Sequence, residues 1–400
     1  MRIALKLAFI AFGLGLIAYM FSLDDQAQED MMEELPVLGD GVSPDEEDQS
    51  GNEPSAGDDN LPSEEENDGN ADMDETENGP GEEVSSGSST EENGDNGGDE
   101  TEDISDTEVS EGYHTYIGET AEVLTDAYGD PDRTDMTQYG YEWYVWNEDH
   151  YLQAGVSEGE VVSLYTNMYS DLLSPFTVGE PYEELKADQG FEEEVSLTGD
   201  FSTFTFNLSE SDVKTRPLVE YDGVYVQLYF DTFDGTLSSV RYSDEETLVL
   251  HQPYSLTYSR SMPEKPELSD GEWEAVEEGM ARQVFDLTNN FRKRHGIEEL
   301  EWHEDTAQVA LGHSRDMYEN EYFSHSSPAH GELSDRLTAE GVQYHMAAEN
   351  IAARYDDAAA AVEGWLNSEG HRVNLKHEDL THLGVGVYRE FYTQNFITPW

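Results

Sequence analysis

Asp356-Asp357-Ala358-Ala359-Ala360-Ala361-Val362-Glu363-Gly364-Trp365-Leu366-Asn367-Ser368-Glu369-Gly370-His371-Arg372-Val373-Asn374-Leu375 is the stretch that decides the fold. The Asp pair is a natural helix N-cap, since a carboxylate accepts from the unpaired N–H groups of a first turn. Ala358, Ala361, Val362 and Trp365 then recur at helical spacing, and Gly370 marks the stop. Upstream, Ser269-Asp270 and a run of Glu open another helix, in which Val284, Leu287 and Phe291 share a face and which Gly296 ends. A helix from Glu304-Asp305 carries Ala307, Ala310, Leu311, Ser314, Met317 and Tyr318 as its buried stripe, with His313 at the edge. Downstream, 383–388 and 391–397 alternate as a closing pair of strands. Residues 273–400 therefore predict an α+β layered domain of about 125 residues, enough for its own core.

Six blocks follow one another in this region: His313-Ser314-Arg315-Asp316-Met317, Tyr322-Phe323-Ser324-His325, Ala348-Glu349-Asn350-Ile351-Ala352, the Trp365 to Leu375 segment quoted above, Gly384-Val385-Gly386-Val387-Tyr388, and Thr393-Gln394-Asn395-Phe396. Their order resembles the bacterial branch of the CAP superfamily (cysteine-rich secretory proteins, antigen-five and pathogenesis-related proteins). The resemblance implies an α/β/α sandwich with a cleft gathering histidines and acidic residues. Matched block by block, the cleft residues are His325, Glu349 and His371. Eukaryotic members place a second Glu three residues after the helix tryptophan. Here that position is Ser368, with Glu369 one step on, so a His-Glu-His set stands where those relatives have a metal-binding tetrad.

Three readings of that set are open. Two neutral imidazoles and a carboxylate hold Zn²⁺, or another divalent metal, with water in the fourth position. Alternatively, without any required cofactor, the carboxylate orients an imidazole and the pair binds a polar group. Or the side chains simply satisfy loop backbone and lock the cleft walls. The outlying His295, His303, His330, His345, His377 and His382 read as surface residues, and His313 as helix packing against Tyr322 or His325. Ser324, Ser326 and Ser368 lie near histidines, but no strained strand-to-helix elbow marks a serine nucleophile.

Aromatic and β-branched residues begin abruptly at Tyr113. Tyr116-Ile117-Gly118-Glu119 leading to Leu124 is echoed by Thr177-Val178-Gly179-Glu180 leading to Leu185, each a strand end, a glycine turn and a short helix. The stretches 141–146, 151–156, 161–165, 201–208, 224–230 and 237–242 alternate with period two. Residues 113–250 are expected to form one mainly antiparallel α+β domain with a loose internal duplication, joined by a linker over 251–272. Gly129-Asp130-Pro131-Asp132-Arg133 followed by Tyr139-Gly140-Tyr141-Glu142-Trp143 resembles the domain that precedes bacterial CAP domains, which implies a companion module without chemistry of its own. Tyr141, Trp143, Tyr144 and Trp146 could line a sugar- or peptide-binding face, although alternating aromatics in a strand more often pack a core.

Before all this stand two segments of different character. Arg2 and Lys6 precede an apolar run over 7–23, which as a helix spans about 25 Å against a hydrocarbon core of about 30 Å. Bulky residues at Tyr19, Met20 and Phe21 favour a retained anchor over a cleaved signal peptide, and the basic flank puts the N-terminus inside. Residues 24–111 hold 34 of the chain's 90 acidic residues and no Lys or Arg. Such a segment buries too little apolar surface to offset its ordering entropy, so 24–112 is expected to be a disordered acidic tether. The remaining chain is still strongly acidic within a total net charge of −71. That fits either a surface adapted to high salt or an ordinary acidic secreted protein, and it disfavours nucleic acid, whose phosphates need a basic face. With no cysteine, disulfides, thiolate metal sites and a cysteine nucleophile are excluded.

Three functional expectations result. The first is a non-enzymatic module at the cell envelope, attached to the membrane through 7–23, whose cleft takes a lipid, peptide or wall fragment. The second is a metal-dependent hydrolase or protease working through His325, Glu349 and His371 on envelope or peptide substrates. The third is an envelope scaffold with a vestigial cleft.

Overall fold

The computed structural model describes residues 112–147, 151–198, 203–259 and 261–400. The expected anchor and acidic tether, up to residue 111, lie outside the described residues. Among those described, no helix is long and apolar enough to cross a membrane.

The duplication legible in the sequence is built from hydrogen bonds. Gly118 (φ 86°) and Gly179 (φ 93°) both take the left-handed backbone that favours glycine. Gly118 N–H donates to Val161 O, and Val161 N–H returns a bond to Glu119 O, both at 2.8 Å; Gly179, Leu237 and Glu180 repeat that exchange at the same distances. Each turn feeds a short helix, α1 (Glu122–Tyr128) and α2 (Tyr182–Gln189). Leu124 and Leu185 bury in one shared cluster.

After α1 come β1 (Arg133–Met136), β2 (Glu142–Trp146), β3 (Leu152–Ser157) and β4 (Glu160–Thr166). After α2 come β5 (Glu194–Thr198), β6 (Thr203–Asn207), α3 (Glu210–Thr215), β7 (Leu218–Tyr221), β8 (Val224–Asp231), β9 (Thr236–Ser243), α4 (Glu245–His251) and β10 (Ser255–Tyr258). Seven strands form one antiparallel sheet in the order β1-β2-β3-β4-β9-β8-β7, and β10-β6-β5 form a smaller one. Part of the segment expected as linker is thus a strand: 255–258 pairs with 204–207.

The C-terminal region opens with α5 (Asp270–Arg294), where Ser269 and Glu272 make a reciprocal capping box. It continues through β11 (Glu301–Trp302), α6 (Glu304–Glu319), α7 (Leu333–Ala339), β12 (Tyr344–Ala353), α8 (Ala358–Leu366), α9 (Glu369–Leu375), β13 (His382–Tyr388) and β14 (Phe391–Pro399). The sheet order is β11-β13-β14-β12. Strand alternation assigns its two faces. Leu383, Val385, Val387, Tyr392 and Phe396 bury in one cluster with residues of α5 and α8. Gly384 and Gly386 point the other way, where a Cβ would lie 2.2 Å from Ala307 N and 1.9 Å from Leu311 N. Glycine alone lets the α6 backbone lie directly on β13, which completes the expected α/β/α sandwich.

Several expectations change in detail. Within α6, Val309, His313 and Asp316 are buried and Tyr318 is exposed, so the stripe sits slightly round from the one read from the sequence. The quoted decisive stretch makes two helices rather than one, α8 and α9, with a break at Asn367-Ser368. The block around Glu349 is a long strand, β12, which periodicity missed because both of its faces are partly covered. The proposed aromatic binding face is core: Tyr141 and Trp143 pack against the C-terminal region, Trp146 lies in the other cluster, and Tyr144 is half-buried.

The two regions meet along a polar seam around that shared apolar cluster. Arg241 reaches Asp357, the N-cap of α8, at 2.5 Å. Arg372 pairs with Asp231 at 2.7 Å and Asp234 at 3.1 Å, while Arg133 pairs with Asp286 at 2.9 Å. Glu363 accepts from Ser238 and Ser239 at 2.6 and 2.5 Å. Asn367 Oδ1 accepts from the backbone and side chain of Thr232.

Candidate functional site

The loop after α6 is fixed from below by that helix. Asp316 accepts from Ser327 Oγ at 2.6 Å, from Asn320 Nδ2 at 2.8 Å, and from Tyr322 Oη. Burial works against its charge, but these hydrogen bonds overcome it and hold its carboxyl below the usual value. His313, one turn earlier, donates from Nε2 to Ser324 O at 3.0 Å. Burial above all lowers its pKa to about 4, so the ring is neutral near pH 7. His313 is therefore a positioning residue, as its place on the helix suggested.

The loop thus held presents His325, 53% exposed, to Glu349 on β12, only 4% exposed. His325 Nδ1 donates to Glu349 Oε1 at 2.9 Å. Glu349 Oε2 accepts from Arg336 Nη2 of α7 at 2.8 Å, and the same nitrogen reaches His325 O at 3.2 Å. A buried guanidinium and a buried carboxylate so fix the orientation of an exposed imidazole. Arg336 is the member that the sequence did not reveal. It lies 13 residues before Glu349, outside every quoted block, and no local pattern signals it.

His371 and Ser368 belong to a neighbouring arrangement at the start of α9, where His371 Nδ1 meets Ser368 Oγ at 2.8 Å. Asn350 Nδ2 donates to His371 O at 3.3 Å, and Asn374 Nδ2 to Glu349 O at 3.2 Å. Trp365 Nε1 donates to Ile351 O at 2.9 Å. Side chains of α8 and α9 thereby occupy carbonyls along the edge of β12, which would otherwise template strand pairing. Much of the Trp365 to Leu375 block is the mortar between these elements.

The expected three-ligand metal set is not assembled. Among the described residues, the group of three whose ligand atoms all lie within 4.8 Å of one another is Asp231, Asp234 and His295, and His325, Glu349 and His371 form no such group. Both Glu349 oxygens are held by His325 and Arg336, and the positive guanidinium takes the place a cation would need. At Asp231 and Asp234 that part is played by Arg372. Burial opposes the charge on Asp234, but its bond to His295 and the nearby Arg372 keep its pKa lowered. Of the candidate serines, Ser324 Oγ accepts from Ser326 N at 3.1 Å, an ordinary turn contact.

A three-layer α/β/α sandwich with an exposed histidine on a buried Glu–Arg pair, docked along a seam to an antiparallel companion region, defines a CAP-type protein. Comparison with known proteins agrees: the family described as CAP-associated N-terminal matches residues 117–254, and the cysteine-rich secretory protein family matches 285–398. The membrane protein YlbC of Bacillus subtilis (strain 168) is 43% identical over 291 residues, covering 72% of this chain and 84% of that one. The crystal structure of an extracellular protein containing a SCP domain from Bacillus anthracis is 44% identical, with TM-score 0.69, covering 72% of this chain and 96% of the other. A cysteine-rich secretory protein from Staphylococcus aureus has TM-score 0.65 and 26% identity over 72% of this chain and 93% of its own. The chain belongs to the cysteine-rich secretory protein (CAP) family, with the CAP-associated N-terminal region.

Proposed function

We propose that the protein is a non-enzymatic ligand-binding module of the cell envelope, membrane-tethered through residues 7–23 and engaging its ligand at the His325–Glu349–Arg336 cluster. One observation carries this reading: His325 is half exposed while the two groups that orient it are buried. A fixed imidazole offers its outer nitrogen to a polar group on a lipid, peptide or wall fragment at little entropic cost. The extracytoplasmic placement rests on the basic-then-apolar N-terminus together with the names of the relatives, one a membrane protein and one extracellular. The test is binding of the full chain to soluble lipid head-group analogues, to wall fragments and to a peptide mixture. Saturable binding to one of these, weakened roughly tenfold by His325→Ala, supports the reading, since one lost hydrogen bond to a charged group is of that order. Equal binding by the variant, or turnover of any of these materials, contradicts it.

A further inference from the structure

The turn that joins β8 to β9 in the companion region lies against the break between α8 and α9, and it is stiff in its own right. Asp231 Oδ1 accepts from Phe233 N at 3.0 Å and from Asp234 N at 3.1 Å, the side-chain closure that Asp makes in tight turns. Gly235 N–H donates to Asp231 O at 2.7 Å. Asn367, in the break itself, spends its amide on this turn. Its Oδ1 accepts from Thr232 N at 2.8 Å and Thr232 Oγ1 at 2.7 Å, and its Nδ2 donates to Phe230 O at 2.8 Å. Arg372, one residue after His371, is buried, and the turn supplies two carboxylates to it, Asp231 at 2.7 Å and Asp234 at 3.1 Å. Its own region supplies Leu366 O at 3.0 Å and the ring of Phe291.

Different parts of the molecule therefore hold α9. At its C-terminal end Arg292 of α5 donates to Leu375 O and His377 O, both at 3.0 Å, an attachment within the C-terminal region. Nearer its start the attachment is the turn of the companion region. Between the two lie the contacts that shape the cleft. His371 Nδ1 meets Ser368 Oγ at 2.8 Å, His371 O accepts from Asn350 Nδ2 at 3.3 Å, and Asn374 Nδ2 donates to Glu349 O at 3.2 Å. A buried guanidinium stripped of its carboxylates is strongly unfavourable, so α9 keeps this seat while the turn is in place. We propose that the β8–β9 turn is a positioning element of the cleft: Asp231, Thr232 and Asp234 set the place of His371 and, through Asn374, steady the strand that carries Glu349. The companion region is then a structural part of the site rather than a neighbour to it. The consequence for ligand binding rests on the reading of the His325 cluster given above; the positioning itself does not, and its test uses no ligand.

The test compares two seam variants of the full chain, each losing one ion pair. Asp231→Asn takes a negative charge from Arg372 while its remaining oxygen still closes the turn. Asp286→Asn takes one from a different part of the seam, where the partners are Arg133 and Asn147. The readouts are the ring nitrogen resonances of His371 and the amide exchange of α9 relative to that of β14. In Asp231→Asn the His371 resonances shift and the α9 amides exchange about tenfold faster or more, as loss of a charged hydrogen bond should allow by local opening. In Asp286→Asn both stay as they are. Thr232→Val keeps the backbone bond to Asn367 and removes the hydroxyl one. It gives a smaller shift of the same His371 resonances, and it decides the matter if Asp231→Asn does not fold. His371 resonances that match the unmodified protein in the folded variant overturn the proposal. Equal movement in Asp286→Asn also overturns it, since that would be a general loosening of the seam.

Discussion

The seam between the two regions and the cluster around His325 are built from the same residue types, yet they use them differently. At the seam, Arg241, Arg372 and Arg133 each find a carboxylate from the other region, and Glu363 is enclosed by serine hydroxyls. At the cluster, the carboxylate and guanidinium are spent on each other, and the histidine they orient faces solvent. The difference separates polar groups that specify how two pieces fit from polar groups kept available. Buried ion pairs contribute little net stability, because desolvation offsets attraction, but losing one partner strands the other. Perturbing the seam should therefore be costly for folding, and perturbing His325 should be costly only for binding.

The largest expected effect comes from Arg241→Met, which strands Asp357 at the cap of α8 and removes the cation lying over Tyr165 and Tyr229. A loss of about 3–5 kcal/mol in chemical denaturation is expected, within one cooperative transition because the apolar cluster spans both regions. Two separate transitions would break the picture of a shared seam. Gly386→Ala comes next. Its methyl would collide with the α6 backbone, which cannot rotate aside, so about 3 kcal/mol should be lost while the seam is untouched.

A pH titration sharpens the contrast further. His251 is buried at the seam beside Tyr141 Oη (2.8 Å), and burial, reinforced by Arg241, lowers its pKa to about 3. A folded-state value below the unfolded one means that its contribution is complete above about pH 6.5 and is lost as pH falls toward 3, by up to about 1.4 kcal/mol per pH unit. His313 acts in the same direction from a value of about 4. His251→Gln should flatten the acid limb of stability against pH, and an unchanged limb would count against a neutral buried ring. The smallest effect belongs to His325→Ala, below about 1 kcal/mol, since the ring is half exposed and its contact with Glu349 lies at the solvent boundary.

How much of this was legible in the sequence follows from the range of the interactions. Caps and turns are local: Ser269, Asp357 and Gly296 mark helix ends, and Gly118 and Gly179 announce the duplication. His325 and Glu349 could be named because ordered blocks carry them. Arg336 could not, since its role exists only once α7 lies against β12. The seam was equally hidden, because Arg241 and Asp357 stand 116 positions apart and nothing in either neighbourhood points to the other. Strand β12 escaped detection for a related reason: distant segments partly cover both of its faces, which erases the alternation a half-exposed strand would show.

The most direct test follows the imidazole nitrogens of His325 and His251 together in the full chain while envelope-derived ligand is added. The account predicts a saturable change at His325 with His251 silent, the available ring responding and the seam ring not. A response at His251 alone, or none at His325 when binding is independently evident, would contradict it.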